Sequence, residues 1–418
     1  MNAAELTRRV TQAPSARPAL KTKTEHRLRG RPALYLLASI IVSLLAGSSA
    51  PTPLYATYQA QWGFSAITTT IVFGVYALTV LAALLTLGRL SDHVGRRPVL
   101  LAALAIQAVS LLVFTTAHGV PELLIARVIQ GVSTGAALGA IGAGMLDVDR
   151  QRGTLANAVA PAMGTATGSL LSALAIRYLP APEHLIYLVL LGAIAVQAVG
   201  VAFMRETVTR APGALATLVP EVKLPRNLRG PVLAAAPVLF AAWALVSLYG
   251  ALGPALVHTL TGSDSVVLGG LSLTVLAAAA VASILALRNV PARTAMTTGV
   301  AALVGGAVIT LLALTIKSPG LFFAGTVVSG IGFGGGFQGG IRTVVPKAAA
   351  HERSGVLSLL FVVSYLGLGL PGVAAGFLAV HGAGLVGAAR DYSAALIVLA
   401  VPAAVATIRS GYKERSIG

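Results

Sequence analysis

The sequence predicts an all-α polytopic membrane protein with twelve transmembrane helices, arranged as two pseudo-symmetric six-helix bundles. Of its 418 residues, 56% are hydrophobic and only 10% are charged, and the mean hydropathy is +0.85. A soluble globular protein needs far less apolar side-chain surface for its core. Apolar runs of about 20 residues recur along the chain, and each is long enough to cross ~30 Å of hydrocarbon as a helix.

The apolar runs define the order of the predicted elements. The twelve spans are 34–57, 67–88, 98–117, 121–146, 155–178, 184–204, 231–257, 265–287, 295–316, 319–345, 355–379 and 389–408. The polar linker 205–230 is the longest interruption and divides them into bundles at 34–204 and 231–408. A basic N-terminal tail, 1–33, and a short C-terminal tail, 409–418, complete the chain, and both tails and the linker are expected to be cytoplasmic.

The net charge of +17 first suggests a nucleic-acid partner. Basic residues that bind nucleic acid cluster on one face among aromatics, whereas here they lie in short patches between apolar runs. An even number of spans places both termini on one side, the terminus side, and most loop arginines and lysines fall there. Loops on the opposite side, the far side, hold only Arg177, Lys317 and Arg390. The positive-inside rule therefore predicts cytoplasmic termini in a bacterial plasma (inner) membrane, without nucleic acid.

The two halves of the chain resemble each other in their glycine positions. Gly131 and Gly135 in span 4 are in step with Gly330 and Gly334 in span 10, about 200 residues later. Similar correspondences join spans 5 and 11, and the ends of spans 1 and 7. Three matches at one offset predict a duplicated six-helix unit, which is typical of many secondary transporters.

The loop between spans 2 and 3 reads GRLSDHVGRRP and concentrates charge between two apolar runs. A glycine, an acid four residues later, a second glycine and two basic residues resemble the loop signature of the major facilitator superfamily. The resemblance covers the chain from span 1 to span 12 and implies alternating access. It also implies a conformational latch against span 11 in the outward-open state, formed by Gly88, Asp92, Gly95, Arg96 and Arg97. The alternative is that the arginines only anchor the loop to anionic lipid.

Span 1 ends in APTPLYATYQAQW, which is similar to a motif of the twelve-span drug-efflux branch. Pro51 and Pro53 equally explain the end or kink of a helix, and the aromatic residues equally fit an interfacial belt. The span-5 signature of antiporters is incomplete, because Gly164 and Gly168 are present without the Gly-Pro pair. The motif at the end of span 1 therefore favours export as the direction of transport, whereas the incomplete span-5 signature argues against it.

Arg127 is the one basic residue predicted to lie well inside a span. A charge within the membrane is costly and marks a candidate functional site. Arg127, Gln130 and Gly131 resemble the span-4 motif of the superfamily, which implies that Arg127 handles substrate or protons. The alternative is that Arg127 lies near the far-side interface and extends its head group to water.

No aspartate or glutamate is predicted well inside a span, although a titrating carboxylate is the usual proton carrier of this family. Three options remain open at this point. Glu122, at the far-side start of span 4, relays protons through Arg127; the substrate carries the charge itself; or transport is not coupled to protons.

The sequence supports a transporter rather than an enzyme. It contains no cysteine, no histidine pair with metal-ligand spacing and no hydrolase pattern, so no catalytic residue, metal or cofactor is predicted. We expect a monomer in the lipid bilayer that exports drug-like or small amphipathic compounds by proton antiport. The alternatives are uptake or facilitated diffusion of a sugar or organic acid, and a transporter-like ligand sensor. The candidate cavity residues are Tyr55, Thr134, Trp243, Tyr249 and Gln338.

Overall fold

The computed structural model of the protein describes residues 28–349, 351–382 and 384–415, and these are almost entirely α-helical. In the N-terminal half the helices are Arg31–Ser49 and Pro51–Trp62 (span 1), Ala66–Leu87 (span 2), Arg96–Thr115 (span 3), Val120–Val148 (span 4), Arg150–Tyr178 (span 5) and Pro182–Ala202 (span 6), with one turn, Ser91–Val94, in the loop between spans 2 and 3. In the C-terminal half they are Arg229–Ala251 and Gly253–Thr261 (span 7), Val266–Leu287 (span 8), Ala292–Ile316 (span 9), Pro319–Val344 (span 10), Arg353–His381 (span 11) and Gly384–Arg415.

Eleven segments of the described chain are long and apolar enough to cross a membrane, and they coincide with predicted spans 1 to 11. The last helix, Gly384–Arg415, lies where span 12 is predicted but is not among the eleven. The all-helical membrane fold is confirmed, and the number twelve stays a prediction.

Span 1 is interrupted at Ala50, between its two helices. Pro51 and Pro53 lack the backbone N–H that would continue the ladder of a straight helix. The carbonyls left without these donors are those of Gly47 and Ser49, four residues before each proline. At the interruption itself, the hydroxyl of Ser172 in span 5 donates to the carbonyl of Ala50 over 2.6 Å.

The predicted internal repeat is confirmed by the contacts of the glycines. A Cβ added to Gly135 would lie 2.6 Å from the carbonyl oxygen of Val80 in span 2. About two hundred residues later, a Cβ added to Gly334 in span 10 would lie 2.5 Å from the carbonyl oxygen of Ala280 in span 8. Each half therefore packs its fourth helix backbone-to-backbone on its second helix, which only glycine permits at this distance.

The two halves meet mainly through spans 2, 5, 8 and 11. Span 2 contributes Phe73, Tyr76, Ala77, Val80 and Leu81 to an apolar cluster whose other buried members come from the C-terminal half. Close to the far side, the hydroxyl of Ser169 in span 5 donates to the carbonyl of Gly270 in span 8 over 2.9 Å. Since Gly270 lies in the first turns of span 8, this contact joins the halves in the far-side part of the membrane.

Candidate functional site

Arg127 is fully buried inside the N-terminal bundle, with 0% of its surface exposed. One terminal nitrogen, Nη1, donates to the carbonyl oxygen of Ser48 over 2.8 Å and to Oε1 of Gln130 over 2.7 Å. The other, Nη2, donates to the hydroxyl oxygen of Tyr55 over 2.7 Å. Ser48 and Tyr55 lie on either side of the break in span 1, so Arg127 ties both parts of span 1 to span 4.

Aromatic rings surround the rest of the guanidinium group of Arg127. Its central carbon lies 5.9 Å from the ring centre of Tyr55, 5.2 Å from that of Tyr76 and 5.6 Å from that of Phe114. Cation–π attraction of this kind offsets part of the cost of burying a charge. No carboxylate of the described residues lies within 4.0 Å of the guanidinium nitrogens. The positive charge is therefore held only by dipoles and rings.

The position of Arg127 decides between the two interpretations of its charge. Arg127 lies seven residues after Val120 at the far-side start of span 4, which is about 10 Å along a helix. Its side chain turns into the bundle toward Ser48 and Tyr55. The interfacial alternative is wrong, because the head group is enclosed among the helices and does not extend to water.

Glu122 is not brought together with Arg127. Glu122 lies in the first turn of span 4, and no ion pair of the described residues joins it to Arg127. Five residues separate the two on one helix, so they lie on different faces, since neighbours on a face are three or four residues apart. A proton relay from Glu122 through Arg127 would need an intermediate group and stays a prediction.

The candidate cavity residues fall into three places. Tyr55 accepts a hydrogen bond from Arg127, and Thr134 lies seven residues after Arg127 on span 4; both are buried. Trp243 and Gln338 are half-buried in the C-terminal bundle. Tyr249 is fully buried elsewhere in that bundle, and its hydroxyl lies 2.9 Å from that of Thr310 in span 9. Packing within the bundle accounts for Tyr249 without a ligand.

Trp243 forms an aromatic patch that the sequence alone did not indicate. Its ring centre lies 5.7 Å from that of Phe333, 5.6 Å from that of Phe337 and 5.1 Å from that of Tyr365. The indole nitrogen of Trp243 and Oε1 of Gln338 are buried without a hydrogen-bond partner among the described residues. An apolar surface with a few orienting polar atoms is typical of small-molecule sites. The predictive signal was weak, because Phe333 and Phe337 stand among glycines that suggest only packing.

The loop between spans 2 and 3 is built around Arg96, which is 7% exposed. Arg96 pairs with Asp92 in its own loop, and its Nε lies 3.3 Å from a carboxylate oxygen of Asp147 at the end of span 4. Its Nη1 also donates to the hydroxyl of Ser91 over 2.6 Å. Lipid anchoring is therefore wrong for Arg96, whose head group is occupied inside the protein.

Glu206, which the sequence did not single out, caps the start of span 3. One carboxylate oxygen accepts from the backbone N–H of Arg96 over 2.9 Å and the other from that of Arg97 over 3.0 Å. A carboxylate there satisfies orphan amide groups and complements the helix dipole. Gly95 precedes this turn with φ +108°, a conformation that favours glycine. A Cβ at Gly95 would lie 2.7 Å from the Glu206 carboxylate.

Among the described residues, no ion pair or hydrogen bond joins Asp92 to span 11. The loop between spans 2 and 3 is joined to span 11 through the linker instead. Glu221 of the linker pairs with Arg89 and with Lys223, the latter over 2.5 Å. The backbone N–H of Lys223 then donates to the carbonyl of Gly355 at the start of span 11 over 3.2 Å. A direct latch was expected for the outward-open state. In the present conformation the halves are joined in the far-side part by contacts such as Ser169 with Gly270.

Asp92→Asn is expected to slow transport several-fold while leaving the protein level in the membrane near normal. The amide keeps the size of the carboxylate but loses the charge that pairs with Arg96. Initial substrate flux in proteoliposomes is the measurement. Asp149→Asn is the matched control, because Asp149 pairs with Arg152 in the next terminus-side loop. Equal flux from Asp92→Asn, Asp149→Asn and the unmodified protein would contradict a conformational role for Asp92.

The linker contact at Glu221 is expected to weaken in acid. The hydrogen bond from Lys223, followed by the charge of Arg89, lowers the pKa of Glu221 below its ordinary value of 4.5. Because the pKa is lower in the folded state, the contact is fully present above the ordinary value and is lost as pH falls through the lowered one. Hydrogen exchange of linker amides should be faster in Glu221→Gln than in the unmodified protein at neutral pH, by a small factor. The difference should vanish in acid, and its persistence there would contradict the role of the Glu221 charge.

Comparison with known proteins agrees with this architecture. The sequence profile of the Major Facilitator Superfamily matches residues 36–372, which is most of the chain. This chain belongs to the Major Facilitator Superfamily. Superfamily members are in general membrane transporters of small molecules rather than enzymes, and the curated relatives of this superfamily member are named accordingly.

Two of these relatives are each called an uncharacterized transporter. The one from Rickettsia bellii (strain RML369-C) is 45% identical over 74 residues, which are 17% of this chain. The one from Rickettsia felis (strain ATCC VR-1525 / URRWXCal2) is 42% identical over 79 residues, which are 18% of this chain. Each alignment covers 18% of the relative, so this superfamily member matches under a fifth of their length.

Solved transporter structures share the fold of this superfamily member over nearly their whole length. The human organic anion transporter MFSD10 (TETRAN) has a TM-score of 0.67 at 20% identity, covering 90% of this chain and 99% of that one. The nucleoside transporter NupG has a TM-score of 0.65 at 14% identity, covering 90% and 98%. A bacterial homologue of the human lysosomal transporter Spinster, in an inward-facing and occupied conformation, has a TM-score of 0.69 at 13% identity, covering 91% and 96%. At these identities the likeness concerns the fold alone.

Proposed function

We propose that this transporter works by alternating access and exports drug-like or small amphipathic compounds by proton antiport. The observation that carries the proposal is the buried, carboxylate-free Arg127 at the break in span 1. A membrane protein retains an intramembrane charge at this cost mainly where it serves a ligand or a coupled ion. Tyr76, which lies against Arg127, also belongs to the apolar cluster between the halves, so the charge is next to the surfaces that move.

The proposed working units are the bundles 34–204 and 231–408, joined by the linker 205–230, with tails 1–33 and 409–418. With cytoplasmic termini, contacts such as Ser169 with Gly270 close the external side. This conformation is then inward-facing or occluded, and rocking of the bundles would break that contact. The latch of loop 2–3 would form in the opposite state.

The proposed substrate is neutral, amphipathic or anionic. Arg127 disfavours strong cations, because no carboxylate of the described residues offsets its charge. Trp243 and its aromatic neighbours offer an apolar surface on the C-terminal half. The name of the human organic anion transporter with the same fold supports the anionic class. Uptake or facilitated diffusion of an organic acid is the second candidate, and Arg127 is again the observation that favours it.

Proton coupling would supply the energy for export. Two routes remain: Glu122 acting through an intermediate group, and a substrate that carries its own charge or proton. The deciding measurement is substrate flux in proteoliposomes with and without an imposed pH gradient. Uphill export driven by the gradient supports antiport, gradient-independent downhill flux supports facilitated diffusion, and binding without flux would make the protein a ligand sensor.

A further inference from the structure

A cavity of about 190 Å³ lies at the terminus-side end of the N-terminal bundle. It is enclosed by the start of span 1, the end of span 4 and the residues that follow span 6, and the apolar part of its lining includes Ala33, Leu37, Gly144, Val148 and Met204. Sites for whole drug-sized molecules usually measure about 300–1,000 Å³. The cavity therefore suits a small head group. It is also separate from Arg127, since Gly144 follows Arg127 by about 25 Å along span 4.

Two arginines of the lining are brought side by side by the backbone. The segment before span 1 pairs with the segment after span 6 in a parallel bridge. The N–H of Leu28 donates to the carbonyl of Phe203 over 2.9 Å, and the N–H of Arg205 donates to the carbonyl of Leu28 over 3.3 Å. Arg29 and Arg205 directly follow the two bridged residues, and both line the cavity. Because paired strands lie about 4.8 Å apart, two positive charges are neighbours here.

The charges of these two arginines are not offset within the described part of the chain. Neither guanidinium group has an ion pair or a hydrogen bond with a described residue. Asp147 is the one carboxylate among the lining residues, and its Oδ2 accepts from Nε of Arg96 over 3.3 Å. Glu206 follows Arg205, but both of its oxygens accept from backbone N–H groups at the start of span 3. Like charges on paired strands are destabilising, so an anion beside Arg29 and Arg205 would stabilise them.

The depth of the cavity matches the head-group layer of a bilayer. Gly30 immediately precedes the first turn of span 1 and Val148 ends span 4, so the cavity lies where the apolar spans meet water on the terminus side. Lipid phosphate groups occupy the same layer, and basic pockets between membrane helices bind anionic head groups there. Arginine suits phosphate particularly well, because its planar donors match two phosphate oxygens at once.

We propose that Arg29 and Arg205 bind a phosphate group in this cavity. The phosphate belongs to an anionic phospholipid of the terminus-side leaflet or is a free ion from solution, because both present the same oxygens to the arginines. The apolar lining accommodates the uncharged part of a lipid head group. The site is distinct from the proposed transport site, and it does not depend on the direction of transport or on proton coupling.

Thermal unfolding of the delipidated full chain in detergent tests the site without any transport assay. Dioleoylphosphatidylglycerol, dioleoylphosphatidylcholine and sodium phosphate are each titrated at constant ionic strength. We expect a saturable rise of a few degrees in Tm, because a ligand that binds only the folded state stabilises it by mass action. Phosphatidylcholine should have a much smaller effect, because its head group has no net charge. A rise with phosphatidylglycerol alone assigns the site to a lipid, and a rise with sodium phosphate assigns it to a free ion.

Single substitutions locate the effect in the cavity. Arg29→Gln and Arg205→Gln should each raise the ligand concentration at half-maximal Tm shift about tenfold, the usual effect of losing one hydrogen bond to a charged group. Arg31→Gln is the matched control, because Arg31 is exposed two residues after Arg29 but does not line the cavity. Gly144→Val keeps both arginines and fills part of the cavity, since a Cβ at Gly144 has only Cδ1 of Leu37 within 4 Å, at 3.3 Å. This variant should also weaken the response.

The proposal is overturned if neither phosphatidylglycerol nor sodium phosphate raises Tm in a saturable way. It is also overturned if Arg31→Gln weakens the response as much as Arg29→Gln, because general surface charge would then account for it. A full response of Gly144→Val would show that the phosphate lies outside the cavity, which contradicts the site. None of these outcomes concerns substrate flux, so the proposed transport function is tested separately.

Discussion

Arg127→Ala is expected to abolish substrate flux while the protein still accumulates in the membrane at a near-normal level. The change removes three hydrogen bonds, to Ser48, Gln130 and Tyr55. It also removes the cost of burying an uncompensated charge, so the two effects on stability oppose each other. Arg127→Lys should restore only part of the flux, because an ammonium group cannot reproduce the planar arrangement of donors. Initial flux in proteoliposomes, corrected for reconstituted protein, is the measurement.

Arg390→Ala is the matched control for the loss of an arginine. The guanidinium of Arg390 also lies partly buried and donates to a carbonyl, that of Leu314 over 3.0 Å, but in the C-terminal half. Its removal should lower Tm slightly and leave flux near normal. Full activity of Arg127→Ala would mean that Arg127 only stabilises the packing of the two helices of span 1. Equal loss in both variants would attribute the effect to packing.

Gly135→Val should prevent accumulation of folded protein. A Cβ there would lie 2.6 Å from the carbonyl oxygen of Val80 and 2.6 Å from Cβ of Ala83. These two atoms belong to the backbone of span 2 or are bonded to it, so they cannot move aside alone. A valine at position 135 would therefore force spans 2 and 4 apart. Overpacking of a well-packed interface costs about 1–3 kcal/mol or more, and here a rigid β-branched side chain meets backbone atoms. Monodisperse protein recovered after size-exclusion chromatography is the measurement, with a loss of about tenfold expected.

Gly192→Val in span 6 is the matched control, because a Cβ at Gly192 has no atom within 4 Å. The same substitution, with the same loss of glycine and gain of hydrophobicity, should leave recovery near normal. Normal recovery of Gly135→Val would show that spans 2 and 4 separate easily, and would weaken the argument from the repeated glycines.

Sequence patterns predicted the spans and the repeat well, because membrane length and small-residue spacing are local properties. The predicted ends of the spans were less accurate where charged residues lie in the first turn of a helix. Span 5 begins at Arg150 rather than near 155, since Asp149 caps it through the N–H of Arg152 over 3.0 Å and the first turn extends beyond the apolar run. Span 1 breaks at Ala50, and the paired prolines indicated an end or kink without fixing it.

Those parts of the site were predictable in which a residue is energetically costly to bury in a membrane span. Arg127 stood out because an arginine in a span is rare, and Gln130 followed from the resemblance of its neighbours. Glu206 was not predictable, since it is joined to Arg96 across 110 positions of sequence and neither residue has a pattern that indicates the other. Tyr249 was expected at the cavity, but helix rotation directs it toward Thr310.

The duplicated architecture carries this buried charge in one half only. The glycine contacts relate the two halves by an offset of about 200 residues, which places Thr326 opposite Arg127. Thr326 is buried, and its hydroxyl donates to the carbonyl of Phe322 in its own helix over 2.8 Å. A pair of identical six-helix units would carry the arginine twice or not at all. Because the matching position of this chain holds a neutral threonine, the chain meets the desolvation cost of a single cation.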